Sequence, residues 1–125
     1  MAGWTSNELT RIGRAEEVDV AAVRTDGSLR RRVTVWLVRE GDELFVRSAV
    51  KGRNAAWFRG VQATHEGRIW AGGVEKDVTF ADADHARDDD IDAAYRSKHR
   101  RYTGRILNSC LTAEARSTTL QLVPR

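Results

Sequence analysis

The sequence predicts an α+β domain built on a small antiparallel β-barrel with flanking helices. Three observations predict it. Apolar residues alternate along several short stretches separated by close turns such as Asp26-Gly27 and Gly41-Asp42, and close turns join antiparallel neighbours. The C-terminal stretch STTLQLV is rich in strand formers, and a terminal strand returning to the sheet closes it into a barrel. With 125 residues, the chain forms one domain, 1–125, able to close a core without metal or disulfide.

The elements follow in order. Thr5-Ser6-Asn7-Glu8 has the capping-box pattern, so a short helix follows with Leu9 and Ile12 on one face. Trp4 precedes the cap and is expected to pack back on that helix. Glu17 to Arg24 alternates, with Val18, Val20 and Ala22 facing one way, and Asp26-Gly27 makes a turn. Leu29 to Val38 is a strand whose two faces are both apolar: Val33, Val35 and Leu37 against Trp36 and Val38. After Gly41-Asp42 a second strand, Leu44 to Ala49, puts Leu44, Val46 and Ser48 on one face and Phe45, Arg47 and Ala49 on the other. Asn54 is read as the cap of one or two helical turns ending at Gly60. A hairpin over Glu66-Gly67 is expected to join strands Gln62–His65 and Arg68–Ala71, with Gly72-Gly73 breaking the second strand or marking a bulge. Val74 to Phe80 is a further strand.

The run ADADHARDDDIDAAYRSKHRRYTG reads as a helix with acids at its N-terminus and cations at its C-terminus, each favoured by the helix dipole. Ile91, Tyr95 and Tyr102 share a face of it. Arg105 to Arg116 is a weaker helical stretch before the last strand.

Composition excludes several classes. Charged residues make up 31% and no apolar run approaches the ~20 residues of a transmembrane helix, so no membrane association is expected. The N-terminal stretch carries acids and no apolar segment, which argues against a signal peptide, and the single cysteine suits a cytosolic protein. Cys110, amid helix formers with no base beside it, reads as a structural thiol. The net charge of +3 comes from 21 cations against 18 acids, too even a balance for a nucleic-acid binder. There is no GxGxxG or Walker loop and no GxSxG elbow. His65, His85 and His99 lack metal-ligand spacing, and the Asp82–Asp92 acids lack the Gly and Glu of an EF-hand, so no metal site is expected.

The informative cluster is basic and aromatic. Ser48, Lys51 and Arg53 follow an apolar strand directly, where Arg grips a phosphate with a bidentate fork and Lys as a point charge. Trp36 and Trp57 offer flat surfaces for a ring. Tyr95 and Tyr102 are candidates to line a substrate pocket, and His65 is the candidate acid–base group because its ordinary pKa lies near neutrality.

The segments LRRRVTVWLVREGDELFVRS, GRNAAWFRG, GGVEKDVTF and TTLQLVPR together resemble an uncharacterised bacterial family, domain of unknown function 2255. More distantly, VWLVREGDELFVRS followed by Lys51 and Arg53 is similar to the flavin- and deazaflavin-binding split barrels, which include the pyridoxamine-phosphate-oxidase-like proteins. That resemblance implies a split β-barrel, a homodimer, and a cofactor (flavin mononucleotide or the deazaflavin F420) in a cleft between subunits. It points to Ser48, Lys51 and Arg53 as the cofactor grip, with Arg30 to Arg32, Arg32 among them, as second candidates and Trp36 beside them. The Asn54–Gly60 insert with Trp57 departs from the pattern and would fill part of the cleft.

Two functional readings are therefore carried forward. One is a flavin- or deazaflavin-dependent oxidoreductase acting on a small organic substrate. The alternative is a barrel with no cofactor: a small-molecule-binding protein, or a cofactor-independent isomerase or cyclase in a biosynthetic pathway. A nucleic-acid or protein-binding module using the arginines is the weakest reading.

Overall fold

In the computed structural model, residues 3–102 and 104–125 are described. Helix α1 (Ser6–Arg14) starts as its capping box dictates. The Glu8 amide donates to Thr5 Oγ1 at 3.1 Å, and the Thr5 amide donates to Glu8 Oε1 at 2.9 Å. Leu9 and Ile12 are buried. Trp4 lies against the core, and its indole Nε1 donates to the Leu122 carbonyl at 2.9 Å.

Six strands follow the expected order: β1 (Glu17–Ala22), β2 (Val33–Glu40), β3 (Glu43–Val46), β4 (Glu66–Ala71), β5 (Val74–Asp82) and β6 (Leu120–Pro124). They form a closed antiparallel barrel in the order β1-β2-β3-β6-β5-β4. The terminal strand closes it by pairing with β3 on one side and β5 on the other. Helices α2 (Ala56–Thr64), α3 (Asp88–Lys98), α4 (Arg105–Asn108) and α5 (Ala113–Ser117) flank the barrel.

The predicted face assignments hold. Val18, Val20, Leu37, Leu44, Val46, Val78 and Phe80 fill the barrel, with Val33 and Val35 packed against them. The opposite faces of β2 and β3 send Val38 and Phe45 into a second cluster with Ile91 and Tyr95 of α3 and with Trp36. The double apolar character of β2 thus comes from a helix of the same chain covering the barrel wall.

Four local readings are corrected. Asn54 caps no helix: it ends a 3-10 turn at Gly52–Asn54, and α2 starts after Ala55 without a side-chain cap. That helix runs past Gly60 to Thr64, so Gln62–His65 is not a strand. Phe58 and Val61, one turn apart, bury its apolar side, and QATH has no apolar alternation to compete. His65 ends the helix in the left-handed region at φ 58, a place usually taken by Gly or Asn. Gly67 is therefore inside β4 rather than at a turn, and a Cβ there would lie 2.2 Å from the Ala21 carbonyl oxygen. The hairpin turn is Gly72-Gly73, both at positive φ, between β4 and β5. Finally, β3 stops at Val46, and Ser117 belongs to α5 rather than to the last strand.

Candidate functional site

Strand β2 is longer than β3. Their register runs only from Leu37 opposite Val46 to Glu40 opposite Glu43, so Val33–Trp36 pair with β1 alone. The chain leaves the sheet after Val46, and a cleft of about 400 Å³ opens beside the free edge. Val33 to Trp36 form one side of it, Ser48 to Lys51 another, and Trp57 a third, with Ile106 and Cys110 beyond. Val50 and Ile106 stand at its rim, 87% and 58% exposed.

Trp36 is held from behind. His99 of the segment following α3 stacks on it with ring centroids 4.0 Å apart and planes 2° from parallel, and Tyr102 leans on it at 5.1 Å. His99 is fully buried, and neither ring nitrogen has a hydrogen-bond partner among the described residues. Burial disfavours its charged form and moves its pKa below the ordinary histidine value, so it stacks as a neutral imidazole.

Arg47 touches the cleft from below but is fully engaged. Its Nε donates to Thr119 Oγ1 at 2.9 Å, and its Nη1 to Asp92 Oδ1 at 2.5 Å and to the Cys110 carbonyl at 3.0 Å. Arg116 pairs with the other oxygen of Asp92. Burial alone would raise the Asp92 carboxyl, but the hydrogen bonds from Arg116 and Arg47 prevail and hold it below the usual aspartate value. The cluster pins β3 to α3 and α5. Burial pushes the Cys110 thiol up, which leaves an unreactive thiol at the cleft wall.

The sequence candidates are placed as follows. Ser48, Lys51, Trp36 and Trp57 line the cleft. Ser48 is buried there. Its hydroxyl donates to the Gly52 carbonyl at 2.6 Å and its amide to Thr118 Oγ1 at 2.8 Å, so it holds the loop in shape. Lys51 has no ion-pair partner among the described residues. Arg53 lies elsewhere: the 3-10 turn carries it to the Ser117 carbonyl at 3.1 Å and over the Phe58 ring. There it borders a small separate hollow with Gln62, Asp82 and His85. The trio Ser48, Lys51 and Arg53 is thus not assembled around one point. Arg32 stacks on Trp70, 3.8 Å from the ring centre, outside the lining. His65 lies at the end of α2, 3.8 Å from Asp82 Oδ2 and away from the cleft. Tyr95 is wholly buried beneath the wall, its hydroxyl without a hydrogen-bond partner among the described residues and its pKa raised above the ordinary phenol value by burial. Tyr102 reaches the cleft only through Trp36.

Val50, Ile106 and Glu17 are among the lining residues that escaped the sequence reading. A lone apolar residue between Ala49 and Lys51 carries no periodic signal, and Ile106 looked like an ordinary helix position. Among the described residues, no three His, Cys, Asp or Glu side chains gather as a metal site, and no helix is long and apolar enough to cross a membrane.

The fold matches solved structures over nearly the whole chain. A candidate pyridoxamine 5′-phosphate oxidase from Listeria innocua matches with a TM-score of 0.62 at 11% identity, covering 94% of this chain and 90% of that one. The heme storage protein HutZ from Vibrio cholerae matches with a TM-score of 0.62 at 13% identity, covering 96% and 89%. An F420 reductase matches with a TM-score of 0.55 at 17% identity, covering 98% and 94%. These likenesses establish the split-barrel fold of the pyridoxamine-phosphate-oxidase-like proteins. No curated protein matches by sequence. Residues 8–122 match the family model described as "Uncharacterized protein conserved in bacteria (DUF2255)", and the chain belongs to that family.

Proposed function

We propose that the chain binds a flavin or deazaflavin ring in the cleft beside β2 and acts as a cofactor-dependent oxidoreductase on a small organic substrate. The observation that carries this reading is a cleft of about 400 Å³ lined by two indoles and by an unpaired strand edge. A flavin ring is flat and apolar on its faces, with hydrogen-bonding groups along one edge. Trp36 and Trp57 suit the faces. The main-chain N–H and C=O groups of Val33–Trp36 suit the edge, since backbone groups need partners wherever water is displaced. Lys51 offers a point charge for a phosphate on the ring's side chain. Hydride transfer is the chemistry such a cofactor supplies when bound. The chain's own part is to position the ring, exclude water and admit the substrate. The fold likeness to an F420 reductase supports the reading.

The rim supports a homodimer as part of the same reading. Of the three exposed large hydrophobics among the described residues (Leu29, Val50, Ile106), Val50 and Ile106 lie at the cleft mouth, where a second copy would cover them and close the site.

One observation favours the cofactor-free alternative. The Ser48 hydroxyl and the Arg53 guanidinium both donate to main-chain carbonyls, which leaves a mostly apolar cleft suited to a neutral aromatic molecule. The test is a titration of the protein with riboflavin, flavin mononucleotide and F420, read by tryptophan fluorescence, for wild type, Trp57→Ala and Lys51→Glu. Saturable quenching is expected. Trp57→Ala should weaken all three ligands, and Lys51→Glu should weaken only the two phosphate-bearing ones, by about tenfold or ~1.4 kcal/mol. Absence of binding to every ligand would sink the cofactor reading and leave the alternative.

A further inference from the structure

Trp57 has a second side. Next to the ring cleft, and sharing Trp57 and Val33 with it, lies a smaller cleft of about 210 Å³. Three arginines border it: Arg24, Arg30 and Arg31. No carboxylate lines it, and none of the three arginines has an ion-pair partner among the described residues. Some other arginines on this surface are matched, Arg68 by Glu75 and Asp77, Arg87 by Glu43 and Arg101 by Glu16; what sets Arg24, Arg30 and Arg31 apart is that three unmatched guanidinium groups share one hollow. Three like charges around one hollow repel each other, and an anion relieves that repulsion.

One of the arginines is held by hydrogen bonds, and a second lies over a glycine. Arg24 Nη1 donates to the Leu29 carbonyl at 2.8 Å and to Ser28 Oγ at 3.3 Å. Arg30 lies across α2 at Gly60. A Cβ at that glycine would stand 2.8 Å from Arg30 Cδ and Nε. Glycine within a helix costs about 1 kcal/mol relative to alanine, so its presence here has a packing reason, and the Arg30 side chain occupies the room it leaves. The ring cleft, by contrast, is poor in available cations: Arg47 is spent on Asp92, and Arg53 turns away, which leaves Lys51.

We propose that the arginine cleft is an anion subsite taking a diphosphate on the tail of the ligand whose ring occupies the tryptophan cleft, with Trp57 the wall between the two. The ligand class is then a ring with an extended, multiply charged tail rather than a mononucleotide. Arg24 and Arg30 bind the diphosphate through forked hydrogen bonds, and Arg31 adds charge. This rests on the reading of the tryptophan cleft as a ring site.

The test compares flavin mononucleotide, flavin adenine dinucleotide and inorganic pyrophosphate by calorimetry on the full chain, for wild type, Arg30→Gln/Arg31→Gln and Gly60→Ala. The expected result is tighter wild-type binding of the dinucleotide than of the mononucleotide. The double variant should lose about tenfold or more on the dinucleotide and on pyrophosphate while keeping its mononucleotide affinity. Gly60→Ala, which displaces Arg30, should do the same in smaller measure. Equal losses on both flavins, or pyrophosphate binding unchanged in the double variant, would overturn the subsite. Pyrophosphate binding that needs the arginines, with no flavin bound by wild type, would remove the ring reading while the anion subsite stands. Binding of none of the three would remove both.

Discussion

The two faces of the β2–β3 pair solve burial in different ways. Inside the barrel, Leu37, Leu44 and Val46 belong to one hydrophobic cluster. Outside, under α3, the same strands meet Tyr95, His99 and the ion cluster of Arg47, Asp92 and Arg116. The inner face is stabilised by transfer from water and close packing, and tolerates any condition that keeps those terms. The outer face buries charge and unsatisfied nitrogen. Its contribution therefore depends on every partner being present and in the right protonation state. The tryptophan cleft is built at the boundary of these two layers, with Val33 and Val35 from the inner and Trp36 from the outer.

The largest effects should come from breaking the outer ion cluster. Asp92→Ala leaves Arg47, whose side chain is fully buried, with only the longer pairing to Asp88 at 3.8 Å, and should cost about 3–5 kcal/mol in urea denaturation. The paired replacement Arg47→Met/Asp92→Leu should recover most of that loss, because an apolar pair needs no partner. Failure to recover would show that the cluster is worth more than the desolvation it costs. On the inner face, Leu37→Ala should cost about 2–5 kcal/mol through a cavity, with no pH dependence.

A smaller effect separates the layers by pH. The folded pKa of His99 lies below its unfolded value, so the unfolded state takes up the proton first on acidification. Stability should be complete above the ordinary histidine value of 6.5 and fall as pH drops through it, and His99→Phe should flatten that part of the profile. A profile unchanged by the substitution would show that His99 does not carry the pH response. Lys98 acts at the alkaline end of the profile. Its Nζ donates to the Ala15 and Leu37 carbonyls, and burial pushes its pKa down to about 8 from 10.5. Between those values the unfolded state holds the extra proton, so stability should rise with pH there, and the rise should vanish in Lys98→Met.

Strand alternation and the first helix cap were legible in the sequence, whereas the Asn54 cap and the Glu66-Gly67 turn were misread. Thr5 and Glu8 specify the start of α1, and the apolar parity of β2, β3 and β5 specifies which side chains enter the barrel, because a strand repeats every two residues whatever it pairs with. The sequence singled out Trp36 and Trp57, and the structure places both in one cleft. Tertiary structure decided the rest. Whether Gln62–His65 continued a helix or began a strand depended on what Phe58 and Val61 packed against, a contact distant in sequence. The fates of Ser48, Lys51 and Arg53 depended on how the 3-10 turn at Gly52–Asn54 rotates the chain, so Ser48 and Lys51 stay at the cleft while Arg53 is carried to the Ser117 carbonyl. The partnership of Arg47 with Asp92 joins residues 45 positions apart, and the free edge of β2 exists only because β3 is shorter than its neighbour. Charge pairing and strand register are relations between segments, and local composition carries no record of them until the barrel closes.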